Sequence, residues 1–171
     1  MLIRPATPED VPAVLPMVAA VCAMHERLDA ARYAMLPDVV ERYRRWLPIR
    51  AADPRSVFLV AEADDPALLA GFLVAAIEKS IPIYRLDEFA FIHDMWVEPA
   101  FRRRGAARAL VEAAVDRFRA MGVSQARLET ATGNEAARWL FESCGFRVGT
   151  IDMLRELTPA PTLATLPPDP R

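Results

Sequence analysis

The sequence predicts one α/β domain built around a mixed β-sheet with helices packed against it. Segments that suit strands and helices follow one another in the order β-α-α-β-β-β-α-β-α-β. The length of 171 residues suits a single domain, and a hydrophobic content of 53% is enough for a sizeable core. We therefore assign residues 1–157 to this domain and the proline-rich residues 158–171 to an extended or disordered tail.

The first third of the chain predicts one strand and two helices. Residues 2–4 begin as a strand, and Thr7, followed by a proline, marks a helix start because both residue types favour helix N-termini. Pro12 and Pro16 each remove a backbone hydrogen bond from that helix, so we expect it to begin late or to kink. Residues 37–51 predict the second helix. Its apolar side carries Val40, Tyr43, Trp46 and Leu47.

Three strands are predicted in the middle of the chain. Residues 57–62 and 69–77 are apolar runs joined by the acidic turn 64–66, so they predict two strands connected by that turn. A loop over residues 80–88 then leads to the last of these three strands, residues 89–97, which is the fourth predicted strand of the chain.

The segment after this fourth strand is the most informative part of the sequence, and it opens an amphipathic helix that runs to about Met121. The segment reads Arg102, Arg103, Arg104, Gly105, Ala106, Ala107 and Arg108. A strand that turns through glycine into a helix brings unpaired backbone N–H groups to the positive end of the helix dipole, where phosphate binds. Gly105 lets the backbone approach an anion and the arginines add charge-assisted donors, so the pattern predicts a pyrophosphate-bearing ligand.

Two common phosphate-binding loops do not fit this segment. A Rossmann loop requires G-x-G-x-x-G and a P-loop requires G-x-x-x-x-G-K-[ST], whereas the six glycines follow neither pattern and Lys79 is the only lysine. What remains is R-x-x-G-x-A, from Arg102 to Ala107. A basic helix start on a solvated surface is the alternative interpretation.

A strand and another amphipathic helix follow. Residues 125–131 alternate enough to predict the strand. For the helix, Thr132 and Glu135 form a T-x-x-E capping box at the start, and Gly145 provides the stop. Its inner face carries Ala137, Leu140, Phe141 and Cys144, spaced as i, i+3, i+4 and i+7.

These two segments together resemble motifs A and B of the GNAT acetyltransferases. Motif A is Q/R-x-x-G-x-G/A, and motif B is N-x-x-A-x-x-L-Y-x-x-x-G-F, which residues 134–146 match at every position except the tyrosine. The resemblance covers roughly residues 4–148 and is specific over residues 91–146. It implies a GNAT-like fold with a mixed, mostly antiparallel sheet, acetyl-CoA as cosubstrate, and acetyl transfer to a primary amine of a small molecule or peptide.

In that family, acetyl-CoA lies in an opening between the fourth and fifth strands. The backbone of the fourth strand binds the pantetheine arm, the start of the following helix binds the pyrophosphate, and the last helix contacts the arm. Besides residues 102–108, the resemblance therefore implies cofactor contacts by Met95, Trp96, Val97, Asn134 and Phe141. For Asn134, a helix cap is the alternative role, because asparagine favours that position in any protein.

Phe141 departs from the family motif, which usually has a tyrosine whose phenol protonates the departing thiolate. Phenylalanine cannot donate a proton, although its ring can pack against the cofactor and water can protonate coenzyme A. The departure keeps open an alternative function, a catalytically weak acyl-CoA-binding module used for regulation. A nucleotide-binding protein is a third alternative, which the missing glycine patterns disfavour.

His93 and Asp94 form the candidate catalytic pair, because they lie just before the segment implied to carry the thioester. Adjacent strand residues point to opposite faces, so at most one of them is expected to face the amine unless a bulge intervenes. His93 has the better-matched ordinary pKa, near 6.5. Asp94 matches the acidic residue that the family often has here, and Glu129 on the next strand is a weaker candidate.

The acceptor amine cannot be identified from the sequence. In the family, the first two helices roof the acceptor site, and the polar run between them offers Glu26 or Asp29 to hold a cationic amine. A solvated helix end and loop is the commoner explanation for such a run. The same alternatives apply to the loop before the fourth strand. Its polar candidates are Tyr84, Asp87 and Glu88.

Composition excludes several other classes of protein. A net charge of −2 gives no general affinity for nucleic acid. Cys22 and Cys144 predict buried thiols in a reducing compartment, and the two cysteines and two histidines have no metal-ligand spacing. We find neither a signal peptide nor an apolar run long enough to cross a membrane, so a cytoplasmic location is expected. Formation of a homodimer is left open.

Overall fold

The chain folds into a five-stranded sheet with helices on both faces, as described by a computed structural model for residues 1–65 and 68–157. The strands are β1 (Leu2–Pro5), β2 (Ser56–Glu62), β3 (Leu69–Lys79), β4 (Glu88–Val97) and β5 (Ala126–Leu128). They lie side by side in that order, antiparallel from β1 to β4, while β5 runs parallel to β4. The predicted α/β class with a mixed, mostly antiparallel sheet is therefore confirmed. The predicted tail, residues 158–171, lies outside the described residues.

Helices cover both faces of this sheet. The described residues form α1 (Val11–Leu28), α2 (Ala30–Tyr33), α3 (Val39–Ala52), α4 (Ala106–Ala120) and α5 (Glu135–Ser143). Short 3-10 turns precede α1 and follow β4, at Pro8–Asp10 and Pro99–Phe101. One core cluster lies between the sheet and the pair α1 and α3, and a second lies between the sheet and α4, with α5 beside it.

β2 shows why the strands are apolar over their whole length. Phe58 and Val60 point into the cluster under α1 and α3, whereas Leu59 and Ala61 point into the cluster under α4. All four side chains are buried, because helices cover both faces. A continuous apolar run without alternation is the pattern expected of such a strand.

α1 begins late, as its prolines predict. The carboxylate of Asp10 accepts a hydrogen bond from the backbone N–H of Thr7 at 2.8 Å, and the α-helix starts only after this turn, at Val11. Contrary to the expectation from sequence, the 21 residues Pro8–Leu28 are long and apolar enough to cross a membrane by length and composition. That is weak evidence, because a core helix passes the same test, and Val14 and Val18 of this helix are fully buried under the sheet.

The last third of the chain differs from the predictions in three ways. β5 has three residues instead of residues 125–131, because the chain diverges from β4 beyond them. The Thr132 capping box is wrong, since α5 is capped by Asn134, whose Oδ1 accepts a hydrogen bond from the Ala137 N–H at 3.2 Å. No strand follows α5 within the described residues, since the outer edge of β5 offers a further strand only three residues to pair with. The other predicted boundaries agree within two residues.

Candidate active site

A pocket opens where β4 and β5 part. The two strands pair only over Ala90–Ile92 and Ala126–Leu128, while β4 continues to Val97 without β5 beside it. Residues from α1, β4, the chain after β5, and α5 form the walls. Of the predicted site residues, the pocket brings together His93, Asp94, Met95, Asn134 and Phe141. Trp96, Val97 and residues 102–108 lie outside its walls.

His93 is the extra residue of a β-bulge. Val74 of β3 pairs with Asp94, and the next residue, Ala75, pairs with Ile92, so His93 has no partner in the ladder. The bulge turns His93 and Asp94 toward the same face of the sheet, where both contact α3. Strict alternation would have put at most one of the pair on this side, and the bulge is the exception that the sequence analysis allowed, because alternation fails where one strand holds an extra residue.

The carboxyl group of Asp94 is held by α3. The hydroxyl of Tyr43 donates a hydrogen bond to Asp94 Oδ2 at 2.6 Å. Burial raises the pKa of Asp94, and the hydrogen bond from Tyr43 opposes that rise without cancelling it. Cys22 and His25 of α1 lie close enough to Asp94 to interact with it electrostatically. A carboxyl group with a raised pKa can exchange a proton with an amine nearer to neutral pH than an ordinary aspartate can.

His93 sits among aromatic rings. Its ring meets Trp46 edge-on, with centroids 5.5 Å apart, and Phe91 at 5.2 Å. Nε2 lies 3.3 Å from Glu78 Oε1, but this contact lacks the alignment of a hydrogen bond. The imidazole is thus fixed mainly by packing, although it also lines the pocket.

Sequence reasoning missed His25 and the hydroxyl of Tyr43. His25 lines the pocket and stacks on Tyr33 of α2 at 4.9 Å, and burial lowers the pKa of His25, which favours its neutral form. Its place one turn after Cys22, on the inner side of α1, was a usable signal. For Tyr43 the signal was its position on an apolar helix face, because a buried tyrosine hydroxyl needs a partner.

The loop before α4 has the backbone of an anion site. Among the described residues, no hydrogen-bond acceptor is found for the backbone N–H groups of residues 103–108. Gly105 has a φ of +85°, and a Cβ there would meet no atom within 4 Å. Arg103, with a φ of +61°, also adopts the left-handed conformation, which is uncommon outside glycine.

The three arginines of this loop and Arg108 in the first turn of α4 divide into two pairs. Nε of Arg102 donates to the Val97 carbonyl at 2.9 Å, and Arg108 donates to the carbonyl and hydroxyl of Ser143 at 2.9 and 2.8 Å. Arg102 therefore fixes the loop to β4, and Arg108 joins α4 to α5. Arg103 and Arg104 are exposed, with the guanidinium carbon of Arg104 5.9 Å from the ring centroid of Phe101.

Beyond the split, the side chains at the end of β4 point alternately to the two faces of the sheet. Met95 and Val97 pack toward α4, while Trp96 packs toward α1 and α3. The Val97 carbonyl is occupied by Arg102, so a ligand alongside this strand would have to use other backbone groups. The side chain of Ala106 is buried against the same core, and only its backbone can face an anion.

α5 contributes the opposite wall. Asn134 caps the helix through Oδ1, and among the described residues nothing accepts from its amide nitrogen, which is left for a ligand. Phe141 is 8% exposed, lines the pocket and meets Phe146 at 5.6 Å. Its ring is therefore part of both the core and the pocket surface.

The remaining candidates have partners within the protein. Glu129 lines the pocket and pairs with Arg32 of α2 at 3.2 Å. Glu26 accepts a hydrogen bond from the Met35 N–H at 2.7 Å, and Asp29 caps α2, a helix that the sequence did not predict. In the β3–β4 loop Tyr84 is exposed, the Asp87 carbonyl accepts from Ser80, and Glu88 pairs with Arg55. No group of metal-ligating side chains occurs among the described residues.

Comparisons with known proteins agree with this geometry. The model of the Acetyltransferase (GNAT) family matches residues 22–146. The ribosomal protein bS18-alanine N-acetyltransferase of Escherichia coli is 41% identical over 66 residues, which cover 39% of this chain and 44% of that enzyme. Mycothiol acetyltransferase of Beutenbergia cavernae is 35% identical over 94 residues, which cover 55% of this chain and 29% of that enzyme. The chain thus spans less than half the length of these curated relatives.

A solved structure supports the fold. The crystal structure of a tetramutant of the Bacillus halodurans protein BH1408 has a TM-score of 0.79 to this chain. The match covers 92% of this chain and 100% of that one at 21% identity. At this identity the likeness concerns the arrangement of strands and helices, and the details of the site have to be argued from this chain's own residues.

Proposed function

Because the chain belongs to the GNAT acetyltransferase family, we propose that it is an N-acetyltransferase that moves the acetyl group of acetyl-CoA to a primary amine of a small molecule or peptide. The observation that carries the proposal is the split between β4 and β5. It leaves one edge of β4 unpaired beyond Ile92, beside a pocket that contains an ionisable carboxyl group. An unpaired strand edge offers hydrogen bonds to an amide-containing arm such as pantetheine.

The start of α4 fits the pyrophosphate of this cosubstrate. Free backbone N–H groups over residues 103–108, the left-handed Gly105 and the exposed Arg103 and Arg104 would bind it. Arg102 and Arg108 instead hold the loop and helix in place through Val97 and Ser143. When bound, acetyl-CoA supplies an activated thioester carbonyl, and the residues of this chain bind and orient it.

We assign the proton-accepting role to Asp94. Its pKa is raised by burial, and general bases work best when their pKa lies near the operating pH. His93 is the weaker choice, because its ring packs edge-on against Trp46 and Phe91 and its Nε2 lies 3.3 Å from Glu78 Oε1. In this proposal His93 shapes the pocket wall while Asp94 takes the proton from the attacking amine.

Phe141 is the observation that favours a second candidate function. Its ring offers no proton to a departing thiolate, so either water supplies that proton or the protein binds acyl-CoA without efficient turnover. A regulatory acyl-CoA-binding module is therefore the second candidate function. General acid catalysis contributes about 10²–10⁴-fold where it operates, so its absence slows a transferase without disabling it.

The two curated relatives suggest acceptor classes for a first screen. One is named for acetylating the alanine of a ribosomal protein, and the other for acetylating mycothiol. A screen should thus include peptide N-termini, especially alanine, and small amines. The carboxylates near the pocket, Glu129 and Glu26, already have partners in the protein, so we do not assign them to the acceptor.

Turnover and binding measurements test the proposal. Release of free thiol from acetyl-CoA should depend on an amine from the panel, with the acetylated product identified by mass spectrometry. Acetyl-CoA should also raise the Tm more than ATP or NAD, because a ligand that binds only the native state stabilises it by mass action. Stabilisation without turnover on any amine would favour the regulatory module, and no stabilisation would exclude both candidates.

A further inference from the structure

Within the described part of the chain, the hydroxyl of Tyr43 makes one hydrogen bond, to Asp94. Tyr43 is partly buried on α3, and its hydroxyl donates a hydrogen bond to Oδ2 of Asp94, which lies 51 residues later in the sequence. Among the described residues, nothing donates a hydrogen bond to the other carboxylate oxygen, Oδ1. One oxygen of the pocket carboxylate is thus fixed, and the other is left for a ligand.

We propose that Tyr43 is a positioning residue for acetyl transfer, whose hydroxyl fixes Oδ2 of Asp94 so that Oδ1 accepts the proton of the attacking amine. The inference rests on the N-acetyltransferase function proposed above. An aspartate carboxyl group rotates about two bonds, and a hydrogen bond of 2.6 Å removes most of that freedom. The amine nitrogen forms a bond to the acetyl carbon as the carbon–sulfur bond of the thioester breaks, and the proton that the amine loses passes to Oδ1. Coenzyme A leaves as the thiolate, which takes its proton from water because Phe141 has none to give.

α3 is rigid enough to serve this purpose. The Tyr43 ring meets Trp46 edge-on at 5.6 Å, and Trp46 in turn meets His93 at 5.5 Å. Leu47, the next residue, is fully buried in the core. The hydroxyl therefore reaches the bulge of β4 from a helix whose neighbouring side chains are themselves packed.

Among the groups around Asp94, Tyr43 provides the main interaction that stabilises its ionised carboxylate. The groups that face it are Tyr43 from α3, Cys22 and His25 from α1, and His93 from β4. Burial raises the pKa of Cys22 to about 11 and lowers the pKa of His25, so near neutral pH both are uncharged. Burial and Asp94 also raise the pKa of Tyr43, which keeps its hydroxyl protonated as a donor. Loss of that donor should raise the pKa of Asp94 further.

The test removes the hydroxyl and keeps the ring. In Tyr43→Phe, the acidic limb of kcat/KM should move up by about one pH unit, with roughly a tenfold loss at pH values below the new limb and recovery above it. The matched control is Tyr33→Phe, which removes a hydroxyl from a ring stacked on His25 and should leave the limb in place. A ¹³C titration of the Asp94 carboxyl group should show the same upward shift without any need for turnover.

A variant with both changes separates positioning from packing. In an Asp94→Asn background, Tyr43→Phe should cost little further activity, because its effect acts through the carboxylate. The inference is overturned, while the proposed function stands, if Tyr43→Phe acetylates with an unmoved limb or an unmoved Asp94 titration. If the titration shifts but the wild type acetylates no amine, the proposed function fails and the catalytic role of Tyr43 falls with it.

Discussion

The guanidinium carbon of Arg102 lies 4.6 Å from the centroid of the Trp96 ring. This pair joins the loop before α4 to the end of β4, and Nε of the same arginine donates to the neighbouring Val97 carbonyl. The first arginine of the R-x-x-G-x-A motif is thus a clamp between two elements of the protein. We therefore expect its effect on a phosphate ligand to be indirect, through the position of the loop.

The clamp predicts a loss of stability when Arg102 is removed. Arg102→Ala should lower the free energy of unfolding by about 1–2 kcal/mol, from the lost cation–π contact and the lost hydrogen bond. The KM for acetyl-CoA should rise as well, because the loop loses its anchor. Urea denaturation and steady-state kinetics measure the two effects. Unchanged stability would contradict the clamp and return Arg102 to the role of a direct ligand.

Replacing Arg103 should have the opposite effect on stability. Its left-handed backbone, with φ of +61°, costs a non-glycine residue roughly 1–2 kcal/mol. Arg103→Gly should therefore raise the free energy of unfolding while weakening acetyl-CoA binding through loss of a charge. Arg103→Ala is the matched control, because it removes the same charge and keeps the backbone strain. Equal stability of the two variants would argue against strain, and equal affinity of wild type and variants would exclude a phosphate contact.

The pH dependence of the reaction should separate His93 from Asp94. Asp94→Asn should abolish the acidic limb of kcat/KM, since that limb reports the pKa of the base in the free enzyme. Because burial raises the pKa of Asp94, the wild-type limb should lie above the ordinary aspartate value of 3.8. His93→Gln should change the height of the profile more than its shape. A limb that vanishes in His93→Gln and survives in Asp94→Asn would reverse the assignment.

Phe141 should act by packing alone. Phe141→Leu should raise the KM for acetyl-CoA or lower stability without a new pH dependence, because the ring carries no proton. Phe141→Tyr is the sharper change, since it adds a donor to the pocket wall and could raise kcat if protonation of the thiolate limits the rate. An unchanged kcat would mean that this step is not limiting. A large loss of kcat with normal binding and stability would show that the cofactor does not pass this wall.

The ion pair between Arg4 and Asp10 should make the free energy of unfolding depend on pH. The hydrogen bond from Arg4 lowers the pKa of Asp10 below 3.8. A carboxyl group whose pKa is lower in the folded state stabilises the protein at pH values above its pKa in the unfolded state. This contribution is lost as the pH falls through the pKa of the folded state. Asp10→Asn should therefore be less stable than wild type at neutral pH, with the difference shrinking below pH 3.8. Urea titrations at several pH values measure it, and a constant difference would contradict the mechanism.

Local patterns in the sequence predicted most of the fold. Apolar periodicity located the four long helices, and apolar runs located the first four strands, because burial on one or two faces leaves a pattern in neighbouring residues. The start of α4 was predicted from the glycine at position 105 and its flanking arginines. The sequence could not tell which arginines bond within the protein and which stay exposed, since that depends on partners such as Trp96 and Ser143.

The site was harder to predict because its geometry is not local. The bulge at His93 depends on the pairing of β4 with β3, and no glycine or proline marks it in the sequence. The contact between Tyr43 and Asp94 links residues far apart in the chain. Both candidates for the base were identified from the sequence, but their common orientation required the sheet. The cytoplasmic location, the domain boundary at residue 157 and a homodimer remain predictions.

The bulge also means that β4 carries one inserted residue at the site, in an otherwise regular ladder. If His93 were deleted, Ile92 and Asp94 would become neighbours, and they already pair with the adjacent residues Ala75 and Val74. The pairing and the inward or outward orientation of every residue on either side would be kept. A regular sheet and the present bulged sheet therefore differ by a single codon. Such a step adds a second polar side chain to one face without any rearrangement of the core.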